Sequence, residues 1–363
     1  FPGWTLPGVM GLAAATILLK SQNMLPGRRT VVAGSGPLLL AVAAGILKAG
    51  GHVVAVVDQA SRGDWLRCLP SLTGRPDLLW QGAKWQLQLR RAGVPVFYQS
   101  AVEAVEPVEP AEASGAGSED FRITLKAVDG DGRTVPGGQR QLLADSLVAG
   151  HGLVPGTDVT RLLRARLRYA PRAGGWVAET DSDGRTSVPG LYVAGDGAGI
   201  AGAAAAGAHG ELAALAVAHD LGAVTFAVSE KARQPLIDQW TRSARFGHAM
   251  AGLMAMREGL VDAIPPDTIV CRCEDVTRAE IDDAARCGAR DMNQLKAWTR
   301  CGMGPCQGRT CGDVAGALMA RHAGSREQAG FFTGRAPLRP VSLAEAAGDY
   351  VYADIPIPKA APL

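Results

Sequence analysis

Cys271 and Cys273 form a CxC pair, and after a long intervening stretch Cys306 and Cys311 form a CxxxxC pair. This layout constrains the C-terminal third more than any other feature of the chain. In an extended segment residues i and i+2 point the same way, so Cys271 and Cys273 are expected to reach one iron while Arg272 faces outward. The second pair lies in a glycine-rich loop, residues 302–311, that runs into a helical stretch over 310–322. Free N–H groups at such a helix start favour an anionic cluster and hydrogen-bond its sulfurs. Four thiolates suit a [2Fe-2S] centre. A structural zinc, a disulfide pair and buried inert thiols compete with this reading. Zinc sites usually show CxxC rather than CxC, and no secretory start is present to favour disulfides. Cys301 is a substitute ligand or a small side chain packed beside the cluster, and Cys287 and Cys68 read as core thiols.

The 363 residues allow two or three domains, and 47% hydrophobic content is enough for sizeable cores. The formal net charge is +2 with signs interspersed, which argues against a nucleic-acid partner. No apolar run is long enough for a membrane span, because Asp196, His209 and Glu211 break the alanine-rich stretch. The 46 glycines exceed the usual share of about 7% and gather at strand-to-helix turns, as in nucleotide-binding α/β chains.

The first such turn joins an apolar strand from Thr30 to a helix ending near Ala49. Gly34 allows the tight turn and Gly36 lets backbone approach a pyrophosphate at the helix N-terminus. Leu39 stands where a third glycine would be. The next strand, residues 52–57, ends at Asp58, an acid placed to bind an adenosine ribose. The turn is a candidate site for an adenine nucleotide or NAD(P). The opposing reading is that βαβ packing alone demands these glycines. A helix over 80–93, strands at 94–98 and 102–106, a hairpin loop over 107–119, a turn at 129–132 and a buried strand over 143–150 complete this unit.

A second glycine motif covers residues 187–200, a short strand that delivers Asp196 into the turn Gly195-Asp196-Gly197-Ala198-Gly199-Ile200 before a helix. Asp196 can accept from a ribityl hydroxyl, and N–H groups of Gly197, Gly199 and Ile200 can stabilise negative charge on a reduced isoalloxazine. An ordinary Asx-type turn is the alternative. His151 and His209 show no partner in the sequence and read as packed or solvated, so no residue is singled out as catalytic.

Residues 270–274 (VCRCE) and 299–308 (TRCGMGPCQG) resemble the bacterioferritin-associated-ferredoxin-like [2Fe-2S] domain of heteromeric amine dehydrogenases. The motif PGLYVAGDGAGI resembles the second FAD motif of two-dinucleotide-binding-domain flavoproteins. Together with the GSGPLLL turn, the order resembles the larger FAD and [2Fe-2S] subunits of opine oxidases, hydrogen cyanide synthase and hydroxyproline dehydrogenases. That resemblance implies an α/β two-dinucleotide-binding-domain flavoprotein, Rossmann-like with an incomplete FAD domain, plus a small mainly helical [2Fe-2S] domain.

The expected division is residues 1–25 as the remnant of a FAD domain, 26–148 as the NAD(P)-binding-like domain and 149–262 as the rest of the FAD domain. The [2Fe-2S] domain would cover 268–325, after a stiff linker at 263–267, with a Pro-rich tail at 326–363. No first glycine fingerprint precedes Phe1, so an N-terminally truncated piece with weakly held FAD is expected. The resemblance further implies a cytoplasmic electron-transfer subunit, paired with a catalytic flavoprotein dehydrogenase that oxidises an amino acid, opine or related amine. Membrane association is expected only at the periphery and through that complex. A self-sufficient NAD(P)H-dependent flavoprotein reductase is the alternative. Thr277-Arg278-Ala279-Glu280 reads as a capping box opening a helix to about Arg286, with a second helix over 292–299.

Overall fold

The computed structural model describes residues 1–72, 74–108, 120–349 and 351–354. Most of the hairpin loop expected over 107–119 and the end of the Pro-rich tail lie outside these residues.

Apolar runs such as Arg29–Gly34, buried along nearly their whole length, belong in a parallel sheet covered on both faces. Four strands come early: β1 (Val9–Gly11), β2 (Arg29–Gly34), β3 (His52–Asp58) and β4 (Val96–Tyr98). The chain then builds a three-stranded antiparallel sheet, β5 (Ser100–Pro107), β6 (Phe121–Val128) and β7 (Thr134–Ala144), before β8 (Ser146–Gly150) returns between β1 and β2. All neighbours in the five-stranded sheet, ordered β1-β8-β2-β3-β4, are parallel. Helices Leu12–Ser21, Leu38–Lys48 and Pro76–Arg91 cover one face through Leu39, Ile46 and Leu89. The antiparallel sheet covers the other through Val102, Phe121, Ile123 and Leu125. Each large side chain so buried contributes about 1.5–3 kcal/mol.

Strand pairing corrects two expectations. Part of the segment assigned to a FAD-domain remnant, Val9–Gly11, is the edge strand of this Rossmann sheet, paired with Leu147–Ala149. The strand expected before Asp196 does not form. Its stretch makes one bridge, Arg185 with Tyr192, because no described strand lies beside it to take its remaining N–H and C=O groups.

After β9 (Leu167–Ala170) and β10 (Gly175–Ala178), an antiparallel pair, helices Ala203–Asp220 and Phe226–Leu253 pack together. The last unit begins with β11 (Ile269–Cys271) and β12 (Val276–Thr277). Thr277 caps helix Arg278–Arg286 in a reciprocal box with Glu280, and Asp291 caps helix Met292–Thr299. Such caps contribute about 1 kcal/mol each. Helix Gly312–Ala323 completes a core of Ile281, Leu295, Leu318, Met319 and Phe332. The unit is tied to the rest by Trp4 Nε1 donating to Ile269 O at 2.6 Å and by Arg321 with Glu258 and Asp262, each at 2.8 Å. None of the described helices is long and apolar enough to cross a membrane.

Candidate functional site

Five thiols converge at the mouth of the small C-terminal unit. Cys271, Cys301 and Cys311 are buried, and their sulfurs lie within 4.8 Å of one another. The thiols of Cys273 and Cys306 contact each other on the outer side. The CxC pair therefore divides, contrary to the strand alternation expected for it. Cys271 ends β11, and the chain turns back at once through residues 272–275, with Asp275 at φ 52°, so Cys273 lies in the turn and not on the strand.

Backbone N–H groups point at these sulfurs. Glu274 and Gly302 donate to Cys271, Cys306 donates to Cys273, and Gly308 and Thr310 donate to Cys306. Close wrapping needs a residue without a side chain at Gly304, whose added Cβ would lie 2.1 Å from Cys273 Cβ. Burial raises the Cys271 thiol. Cys311 is pushed far above the ordinary thiol value by its contact with Cys301 and by burial. Cys306 is held below it: burial opposes ionisation there, but the Thr310 amide and the Cys273 thiol outweigh burial. Thiols gathered at this spacing, with amides aimed at their sulfurs, fit a metal–sulfur group far better than inert core. Cys301, fully buried with its sulfur 4.0 Å from that of Cys311, belongs to the constellation. Cys287 is exposed and Cys68 packs near Ala249 O, outside it.

Cys273 and Arg272 also line a cavity of about 550 Å³, whose opposite wall is the carboxyl end of β1 and β8 with Trp4 and His151. Open α/β sheets place ligands at that end of their strands, and the volume lies in the range of cofactor sites. His151 Nδ1 accepts from Gln59 Nε2 at 2.6 Å.

At the second glycine motif, Asp196 Oδ1 accepts from Ala201 N at 3.3 Å and Gly202 N at 3.4 Å, which fixes the turn before helix Ala203–Asp220. The donors lie five and six residues on, not two as in an Asx turn, and Oδ2 is left without a protein donor among the described residues. An exposed carboxylate with one anchored oxygen fits a ligand hydroxyl. His209 has the partner its sequence did not reveal: Nδ1 accepts from Gly195 N at 3.2 Å, and its ring packs on Trp240. Gly197 and Gly199 stay within the turn, and Ile200, buried, donates its N–H to Ala173 O at 2.9 Å.

The turn at Gly34 and Gly36 forms where expected, and the end of helix Phe226–Leu253 packs against it. Ser35 Oγ donates to Leu253 O at 3.2 Å, and a Cβ on Gly36 would meet Met254 Cγ at 2.5 Å. Asp58 ends β3 as expected, but it is buried, and its oxygens accept from Ala60 N and Trp65 Nε1, each at 2.9 Å. Burial pushes its carboxyl up to about 6.

Residues 9–219 match the pyridine nucleotide-disulphide oxidoreductase family, and residues 266–349 match the sarcosine oxidase A3 domain. The A-type opine oxidase subunit of Rhizobium meliloti (strain 1021) is 38% identical over 359 residues, covering 95% of this chain and 72% of the relative. A second opine oxidase subunit of the same type, from Rhizobium meliloti, is 34% identical, covering 95% of this chain and 63% of its own length. Hydrogen cyanide synthase subunit HcnB of Pseudomonas aeruginosa is 33% identical, covering 94% and 71%. The chain thus spans between 63% and 72% of these relatives' length. Among solved structures, L-proline dehydrogenase from P. horikoshii shares the fold, with TM-score 0.56 and 17% identity over 94% of this chain and 55% of that one. The chain belongs to the pyridine nucleotide-disulphide oxidoreductase family, within the group formed by the A-type opine oxidase subunits and hydrogen cyanide synthase subunit HcnB.

Proposed function

We propose that the chain is the electron-transfer subunit of a heteromeric FAD-dependent oxidoreductase that oxidises an amino acid, opine or related amine with a flavoprotein partner. The observation that carries this reading is the convergence of the CxC and CxxxxC thiols with backbone amides directed at their sulfurs. Cys271, Cys273, Cys306 and Cys311 would hold a [2Fe-2S] cluster, and Gly195, Asp196, Gly197, Gly199 and Ile200 would hold the flavin. When bound, a flavin takes two electrons and releases them singly, and a [2Fe-2S] cluster carries one at a time.

The residues supply the surroundings of that exchange. Amides of Glu274, Gly302, Gly308 and Thr310 offset negative charge at the sulfurs. Asp196 Oδ2 would accept a flavin hydroxyl while its other oxygen, holding Ala201 N and Gly202 N, keeps the turn in place. Exposed Cys273, at the edge of the 550 Å³ cavity, would be the cluster ligand most accessible to a redox partner. The names of the opine oxidase and hydrogen cyanide synthase subunits support a multi-subunit assembly. The domain division proposed is a Rossmann unit starting at β1, a flavin segment through residue 262, and a cluster unit from 268.

Anaerobic mixing tests the reading. The visible chromophore of the full chain should bleach when the flavoprotein partner is added together with an opine or amino acid, and should not bleach with NADH alone. Rapid bleaching by NADH without a partner would establish the self-sufficient reductase instead.

A further inference from the structure

A cavity of about 260 Å³ lies between residues 154–161 and the loop that joins Cys306 to Cys311. Arg161, Trp176, Arg309 and Arg339 stand on its wall. Arg309 and Arg339 share one carboxylate, Asp158, at 3.1 and 3.9 Å. Asp313, the other acid on the wall, is paired with Arg326 at 3.1 Å. Arg161 is left with no ion-pair partner among the described residues. Its guanidinium lies over the Phe331 ring at 4.7 Å, and its Nε is buried without an acceptor. Trp176, only 6% exposed, likewise has a buried Nε1 with no acceptor. Burial lowers the Arg161 pKa even though Asp313 and Asp158 lie near enough to oppose it.

Arg161 is part-buried, its Nε has no acceptor, and Asp158 and Asp313 lie near without pairing to it, so a ligand oxyanion would supply the hydrogen-bonded partner that its guanidinium lacks. The start of helix Gly312–Ala323, whose first residue also lines the cavity, adds the positive end of a helix dipole. We propose that this cavity is an oxyanion site with Arg161 as its principal ligand. It takes a phosphate group or the carboxylate of a small organic acid. The volume falls below the range of about 300–1,000 Å³ usual for whole organic ligands, so the group binds in the cavity and the rest of its molecule extends through the mouth. The cavity abuts Gln307, Gly308 and Arg309, between two of the thiols, so a bound anion lies beside the sulfur site. The arginine geometry alone defines the site, whichever metal the thiols carry.

Calorimetric titration of the full chain with inorganic phosphate, and separately with malonate, tests it. Saturable binding is expected. Arg161→Gln should weaken it about tenfold or more, as loss of a charge-assisted hydrogen bond does. Arg339→Gln, at an exposed residue whose loss does not threaten the fold, should weaken it by a smaller factor. Arg166→Gln, which breaks an exposed pair with Glu179 away from the cavity, should leave it unchanged. Tighter phosphate binding identifies a phosphate ester as the ligand class, and tighter malonate binding a carboxylic acid. Absence of saturable heat with either anion would overturn the proposal. So would equal weakening by Arg166→Gln and Arg161→Gln, or affinity unmoved by Arg161→Gln and Arg339→Gln.

Discussion

The side chain of Met254 rests against the α-carbon of Gly36, so close that a methyl there would come within 2.6 Å of the thioether sulfur. In a Rossmann turn a dinucleotide's pyrophosphate approaches the backbone at this glycine, and here the chain's own helix end packs against it. Calorimetry with NADH or NADPH should therefore give no saturable binding at this turn in the wild-type chain. Micromolar affinity would show that the helix end moves aside readily. Met254→Ala should lower stability by about 2–5 kcal/mol, the cost of truncating a buried methionine, read from urea unfolding.

Asp58 should make stability fall as pH rises. Its folded-state pKa, about 6, exceeds the unfolded value of about 4, so the native state binds the proton more tightly. The stabilisation from the protonated form is full below pH 4 and is lost as pH climbs through 6. Its size is about 3 kcal/mol. Asp58→Asn should flatten this part of the profile relative to wild type, and parallel curves for the two proteins would remove Asp58 as the cause.

Gly304→Ala should displace Cys273. The new methyl would overlap Cys273 Cβ, and neither backbone can yield without opening the turn. Overpacking of this kind costs about 1–3 kcal/mol, and iron content should drop with it. A variant with wild-type iron and melting behaviour would show that the loop adapts.

Cys301→Ala separates a ligand from a neighbour. As a neighbour, the Cys301 thiol donates toward Cys311 sulfur at 4.0 Å, and donors to cluster sulfurs favour the reduced form. The variant should keep its iron and show a lower reduction potential in a spectroelectrochemical titration. Loss of iron would make Cys301 a ligand.

What the sequence disclosed is local. The capping box of Thr277 and Glu280 needs only residues three apart, and the helix it opens ends at Arg286 as expected. Helix Met292–Thr299 and the strand-turn-helix around Gly34 are equally readable from periodicity and glycine. What it hid depends on contacts distant in sequence. Leu253 and Met254 close over Ser35 and Gly36 from a helix far along the chain. His209 meets Gly195 only because helix Ala203–Asp220 folds back over the turn. The separation of Cys271 from Cys273 follows from the chain reversal at Asp275, whose left-handed backbone no spacing rule indicates. Val9–Gly11 reads with the wrong unit because three residues carry no periodicity, and only pairing with β8 assigns them.

Metal and acid-labile sulfide analysis of anaerobically prepared full chain, beside the Cys306→Ser variant, tests the central claim most directly. The predicted result is iron and inorganic sulfide in equal amounts, about two of each per chain, and their loss with the visible spectrum in the variant. Zinc with no sulfide in the wild-type protein would contradict it.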